Sequence, residues 1–147
     1  MSTSPIPPGG GRTFGPGMRV KIEFGQSDDF AMFESALPPT WDGPPPHVHR
    51  IYDEAFYVLD GNVVFTIDGT TTDCPAGSVV FVPRGATHGF GNPAPRPARI
   101  LVITSPGAMQ LVESLNDLAV QGGVPDVEAM AALFAAHQSE ISAPAAR

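Results

Sequence analysis

The chain has one cysteine, Cys74, and one lysine, Lys21. A single cysteine excludes an intramolecular disulfide and any cysteine-rich zinc motif. Basic residues are scarce: 8 Lys+Arg against 15 Asp+Glu give a formal net charge of −7, and the arginines are scattered. That balance argues against nucleic acid and against an anionic membrane surface, since both need a positive patch. No apolar run approaches the roughly 18 residues of a membrane-spanning helix. The start, Met1-Ser2-Thr3-Ser4-Pro5, lacks the charged and apolar stretches of a secretory signal. A cytoplasmic protein of one domain is the expectation at 147 residues. Chain breakers, by contrast, are abundant. Gly 16 and Pro 17 cut the chain into short segments, which favours an all-β architecture with many turns.

Residues 1–17 read as a flexible N-terminal arm, because Pro5, Pro7, Pro8, Gly9, Gly10, Gly11, Gly15, Pro16 and Gly17 leave little room for regular structure. Phe14 and Ile6 are its two anchoring candidates. Strands are expected from Arg19 to Phe24, from Asp29 to Leu37, from Glu54 to Asp60, from Asn62 to Asp68, from Ser78 to Val82, from Thr87 to Phe90 and from Ala98 to Thr104. Asp60-Gly61 and Asp68-Gly69 suit tight hairpin turns, since glycine tolerates positive φ. Cys74-Pro75 reads as turn. From Ser105-Pro106 the pattern becomes helical: serine caps, proline takes the first position, and Leu111, Leu115 and Leu118 share a face. Gly122-Gly123 ends that helix. Asp126 caps a second, with Val127, Met130, Leu133 and Phe134 as its apolar stripe. Residues 142–147 should fray.

Of the four histidines, three are suggestively placed. His47 and His49 are two apart, so on an extended segment they share a face. Glu54 opens the next strand, and His88 follows the turn Pro83-Arg84-Gly85. Three imidazoles and a carboxylate from neighbouring strands suit a divalent first-row metal. Spacing alone leaves open a plain polar role for them. Other candidates are weaker. Arg84 reads as an exposed turn residue, Asp53 points away from Glu54, His137 is solvated, and Cys74 has no neighbour to lower its pKa.

The segment Gly43-x3-His47-x-His49-x4-Glu54-x6-Gly61 resembles the first cupin motif, whose usual form is Gly, five residues, His-x-His, three or four residues, Glu, six residues, Gly. The segment Gly77-x5-Pro83-x-Gly85-x2-His88-x3-Asn92 matches the second motif at every anchor. One departure is Gly43, three rather than five residues before His47; it puts the entry turn in doubt. The resemblance covers residues 43–92 and, with flanking strands, about 18–104. It implies an all-β double-stranded β-helix, or jelly-roll barrel, over residues 18–104; the helical pattern read above then makes 105–147 a C-terminal extension of two short helices. It implies that His47, His49, Glu54 and His88 ligate one divalent metal ion, whether Fe, Mn, Ni, Cu or Zn. Glu54 is then a ligand, or a general base if it leaves the metal.

Strand parity adds a substrate pocket. Phe56 and Val58 share the face of Glu54, Phe90 and Asn92 that of His88, and Phe65 faces the same interior. Trp41 and Tyr52 flank the mouth. The same phenylalanines would also serve as plain barrel filling. An apolar, partly aromatic lining suits an aromatic or enolisable small molecule.

The motifs look most similar to quercetin-dioxygenase-like cupins, which makes a metal-dependent dioxygenase the leading expectation. Two alternatives stay open: a non-oxidative polyketide cyclase, isomerase or lyase on the same site, and a non-catalytic ligand-binding cupin. A homodimer is expected, with residues 1–24 as the candidate exchanging segment.

Overall fold

The computed structural model describes residues 4–122 and 126–142. In chain order they form β1 (Arg12–Phe14), β2 (Met18–Ile22), β3 (Ala31–Leu37), β4 (His47–His49), β5 (Glu54–Asp60), β6 (Asn62–Ile67), β7 (Thr70–Pro75), β8 (Val79–Val82), β9 (His88–Gly91), β10 (Ala98–Thr104), α1 (Pro106–Gly122), α2 (Val127–Ala136) and β11 (Ser139–Ile141). Two antiparallel sheets result, ordered β1-β2-β3-β10-β5-β8 and β11-β4-β9-β6-β7. This is the expected double-stranded β-helix with two helices following it.

Side-chain alternation explains why the sheets stack. In β5, Glu54, Phe56 and Val58 turn inward while Tyr57 is exposed; in β3, Ala31, Phe33 and Leu37 turn inward. These meet Val63 and Phe65 of the opposite sheet, and Ile100 and Val102 of β10, in one core. Removing a ring such as Phe65 from so closed an interior costs about 3–5 kcal/mol. Among the described residues, no helix is long and apolar enough to cross a membrane.

Several expectations need correction. The N-terminal arm is not irregular throughout. Arg12–Phe14 pairs with β2, and the Phe14 ring is buried edge-on against Phe33 at 5.9 Å. Burial of one aromatic ring outweighs the breakers around it. Asp60-Gly61 does not make a hairpin: β5 and β6 lie in different sheets, and the dipeptide turns the corner between them. Gly61 has φ +78°, and a Cβ there would lie 2.9 Å from the Ala98 Cα. Asp68-Gly69 does close a hairpin, with both residues at positive φ and Ile67 opposite Thr70. The segment read as turn around Cys74 is the edge strand β7. Its threonines supply β-propensity without the apolar alternation by which strands are recognised.

The helices start where expected. Ser105 Oγ accepts from the Ala108 amide at 3.1 Å, and Asp126 from the Glu128 amide at 3.3 Å. Val127, placed on the apolar stripe of α2, is exposed instead. Between α2 and Ser142 the chain is ordered into one more strand, which the sequence does not announce. It forms β11, which pairs with β4 in the register Ser139↔His49, Glu140↔Val48, Ile141↔His47. Gly123 and residues 143–147, part of the expected helix stop and frayed end, lie outside the described residues.

Candidate metal centre

Strand register brings the four residues together. His47 and His49, two apart on β4, point inward together, and His47 lies directly opposite His88 on β9. Glu54 starts β5 in the other sheet and faces them across the barrel. His88 Nε2 is 3.0 Å from Glu54 Oε2, and His49 Nε2 is 3.5 Å from the same oxygen. One ligand atom from each of the four lies within 4.8 Å of all the others, and all four residues are buried. The entry turn that departs from the usual motif is shaped by its glycine. Gly43 has φ +82°, and a Cβ there would sit 1.6 Å from the Phe90 carbonyl oxygen. No other residue fits that approach to β9.

The electrostatics suit a cation. Burial pushes the His47 and His49 imidazoles down to about 4, with the His88 ring adding to the effect on His47. Both are neutral near pH 7, as ligation requires. Burial alone would raise the Glu54 carboxyl. The hydrogen bond from His88 and the surrounding imidazoles outweigh that and hold it below the usual carboxylate range. Neutral nitrogen donors around one carboxylate, closed off from water, are the donor set of a divalent first-row metal. These residues fit such an ion.

The Nδ1 atoms are also engaged. His47 Nδ1 lies 2.8 Å from the Pro45 carbonyl and His88 Nδ1 lies 3.1 Å from the Ala86 carbonyl. A carbonyl only accepts, so in both rings Nδ1 carries a proton and Nε2 is the nitrogen turned to the centre. Such partners orient metal-binding imidazoles. The second oxygen of Glu54 faces the Thr104 hydroxyl at 3.5 Å.

The expected pocket residues fall into separate groups. Phe56, Phe65 and Phe90 do meet, with ring centroids 5.1–5.5 Å apart, and Trp41 packs edge-on against Phe90 at 5.8 Å. Phe56, Val58 and Phe65 are closed into the core, so they fill the barrel instead of lining an opening. Asn92 is 0% exposed. Its amide donates to the Leu37, Pro38 and Arg96 carbonyls, and its oxygen accepts from the Ala94 amide. That side chain pins loops. Tyr52 is buried behind His49, stacked at 4.6 Å, with its hydroxyl 2.9 Å from Nδ1. Its outer side lines a recess of about 330 Å³ that also reaches Ser105 and His137. Phe56, Val58, Phe65, Phe90 and Asn92 line neither this recess nor the larger one, about 710 Å³, beside Lys21 and Glu34. Arg84 pairs with Asp53 at 3.2 Å on the surface.

Two neighbours of the centre escaped the sequence reading. Phe134 of α2 packs edge-on against His47 at 5.3 Å and parallel to His49 at 6.4 Å. Ser139 of β11 places its hydroxyl 2.6 Å from His49 Nδ1. Phe134 carried a helical-stripe signal that pointed only to packing. Ser139 carried no signal at all.

Comparison with known proteins agrees with this geometry. Residues 33–104 match the family model described as a cupin domain. An uncharacterized protein of Streptomyces coelicolor is 37% identical over 67 residues, which are 46% of this chain and 60% of that protein. The structure of the polyketide cyclase RemF from Streptomyces resistomycificus is 30% identical with a TM-score of 0.54, over 60% of this chain and 63% of that one. The structure of TT1209 from Thermus thermophilus is 33% identical with a TM-score of 0.52, over 61% of this chain and 84% of that one. The chain thus spans about three fifths of the length of both Streptomyces proteins.

Proposed function

Because the chain belongs to the cupin family, we propose that it is a metal-dependent enzyme acting on a small aromatic or enolisable organic molecule. The observation that carries this reading is the buried convergence of His47, His49, Glu54 and His88. These four residues would hold one divalent metal ion. Bound there, it would supply Lewis-acid polarisation of a carbonyl or enolate oxygen.

The chain's own residues do the rest. The buried His47 and His49 imidazoles stay neutral and available near pH 7. Glu54 turns one oxygen to the imidazoles and the other to Thr104, so it can take up a proton without losing its place. Phe134 packs on the His47 and His49 rings and backs them from α2.

Non-oxidative chemistry of the cyclase, isomerase or lyase kind is the reading the likeness to the polyketide cyclase RemF favours. Cleavage with dioxygen, the leading expectation from sequence, rests on the motif resemblance to quercetin-dioxygenase-like cupins. The two separate in one experiment. With an enolisable polyphenol or polyketide substrate, non-oxidative turnover runs at the same rate under nitrogen and in air, while dioxygenase turnover stops without oxygen. Saturable binding with no turnover in either atmosphere would leave the ligand-binding alternative. A small-molecule partner and a homodimer complete the proposal. Supporting the dimer, edge strand β8 exposes Val79 at 69% and Phe81 at 60%.

A further inference from the structure

The three imidazoles are not held alike. His47 and His49 share β4, yet only His47 and His88 have a backbone carbonyl at Nδ1. His49 Nδ1 faces two hydroxyls instead: Ser139 Oγ at 2.6 Å and Tyr52 Oη at 2.9 Å. A hydroxyl can donate or accept, so these two contacts alone do not fix which ring nitrogen carries the proton. If Nδ1 accepted, Nε2 would carry the proton and could not ligate a metal.

A third contact bears on it. Ser139 Oγ also reaches the His137 carbonyl at 3.2 Å, and a carbonyl can only accept. With the single serine proton on that carbonyl, the oxygen accepts from His49 Nδ1–H, and the Nε2 lone pair is left for a metal. Tyr52 Oη lies 3.2 Å from Ser139 Oγ and can donate to the same oxygen. The His137 carbonyl is presented by the tight turn leading into β11, where Gln138 sits at φ +53°. A non-glycine residue there persists only when its surroundings hold it. The Arg50 amide donates to the Gln138 carbonyl at 3.1 Å, and the Ser142 amide to the Pro46 carbonyl at 2.7 Å, so the turn and strand are tied down on both sides of Ser139.

We propose that Ser139, on the C-terminal strand, is a positioning residue for the metal centre: it fixes the His49 imidazole in the ligating tautomer, as backbone carbonyls do for His47 and His88. Ser139 is 1% exposed, and 90 residues separate it from His49. The motif-bearing barrel thus depends on the C-terminal extension for a complete ligand set. The inference rests on the metal reading and deepens it.

The test uses the full chain and four proteins: the parent, Ser139→Ala, Ser139→Thr and Tyr52→Phe. Zinc affinity is measured by competition with a chelator, and the histidine ring nitrogens are read by ¹⁵N NMR without metal. Loss of an outer partner of this kind weakens metal binding by about 10–100-fold. Ser139→Ala should weaken zinc binding by at least about tenfold and turn His49 into a mixture of tautomers. Ser139→Thr, which keeps the hydroxyl, should bind within about threefold of the parent, and Tyr52→Phe likewise. Unchanged affinity and unchanged His49 nitrogens in Ser139→Ala would overturn the proposal. So would a large loss in Tyr52→Phe with none in Ser139→Ala, since the phenol would then be the orienting group. Should the parent bind no zinc, the metal reading fails on its own. The metal-free NMR still decides the role of Ser139, because an unaltered His49 tautomer in Ser139→Ala refutes it.

Discussion

His47 and His49 each have a folded state that resists protonation, and this sets a pH dependence. Burial holds both imidazoles at about 4 in the metal-free protein, against an ordinary 6.5. Between those values the unfolded chain binds protons that the folded chain refuses. Stability therefore falls as pH drops from about 6.5 to about 4, by on the order of a few kcal/mol, and this contribution levels out below. Glu54 acts in the same direction at the acid end. Its folded carboxyl is held down, so its contribution is present above the unfolded pKa and is lost as pH falls through the folded one. Urea midpoints of chelator-treated protein at pH 7, 5.5 and 4 check this; equal midpoints would contradict it. At Gly43 the expectation is simpler. Gly43→Ala must move the Phe90 backbone and strain a left-handed φ, so it should cost more than about 2 kcal/mol and lower metal affinity with it. The four clustered residues were legible in the sequence because two motif segments carry them: His47, His49 and Glu54 lie in the first, and His88 in the second. For Asn92, parity gives a direction and not a partner. Its neighbours, the carbonyls of Leu37, Pro38 and Arg96, belong to loops whose position no period reveals.

Elements with strong alternation or caps were legible, and elements made by long-range pairing were not. β10 matches its expected span from Ala98 to Thr104, and β5 from Glu54 to Asp60. β11 has only three residues and exists because β4 offers it an edge. No local pattern in Ser139-Glu140-Ile141 announces a strand. β5 and β6 were expected to pair because Asp-Gly usually closes a hairpin; sheet membership is a tertiary property that the dipeptide does not encode. The C-terminal extension has consequences at this scale. α2 carries Phe134 onto the histidines, so the stability of that helix should matter to the centre. Asp126→Ala removes the cap that accepts from the Glu128 amide and should cost about 1 kcal/mol. Its signature would be a lowered thermal midpoint with zinc affinity reduced less than in Ser139→Ala. A larger effect on zinc than Ser139→Ala would mean the helix, and not the serine, organises the site.

At the scale of the whole molecule, the two sheets divide the labour. The five-stranded sheet carries the three histidines and the six-stranded sheet carries Glu54, so the metal would tie the sheets together at one end of the core. A metal bound only by the folded state stabilises it by mass action. Saturating zinc should raise the thermal midpoint of the parent by several degrees and leave that of His88→Ala unmoved. The outer face of the six-stranded sheet raises a separate question, because Val79 and Phe81 stand exposed on its edge. In the single chain β1 and β2 already extend the other edge of that sheet, beside β3. The homodimer proposed here predicts gel filtration at twice 15.4 kDa, and a shift to the monomer mass in Phe81→Lys. A parent already at the monomer mass would remove it. The central claim, however, is the metal centre. Its most direct test is elemental analysis of protein purified without chelators and reconstituted with zinc, manganese or iron, beside His88→Ala. Close to one divalent ion per chain is expected in the parent and a small fraction of that in the variant. No bound metal after reconstitution, or equal amounts in both proteins, would contradict it.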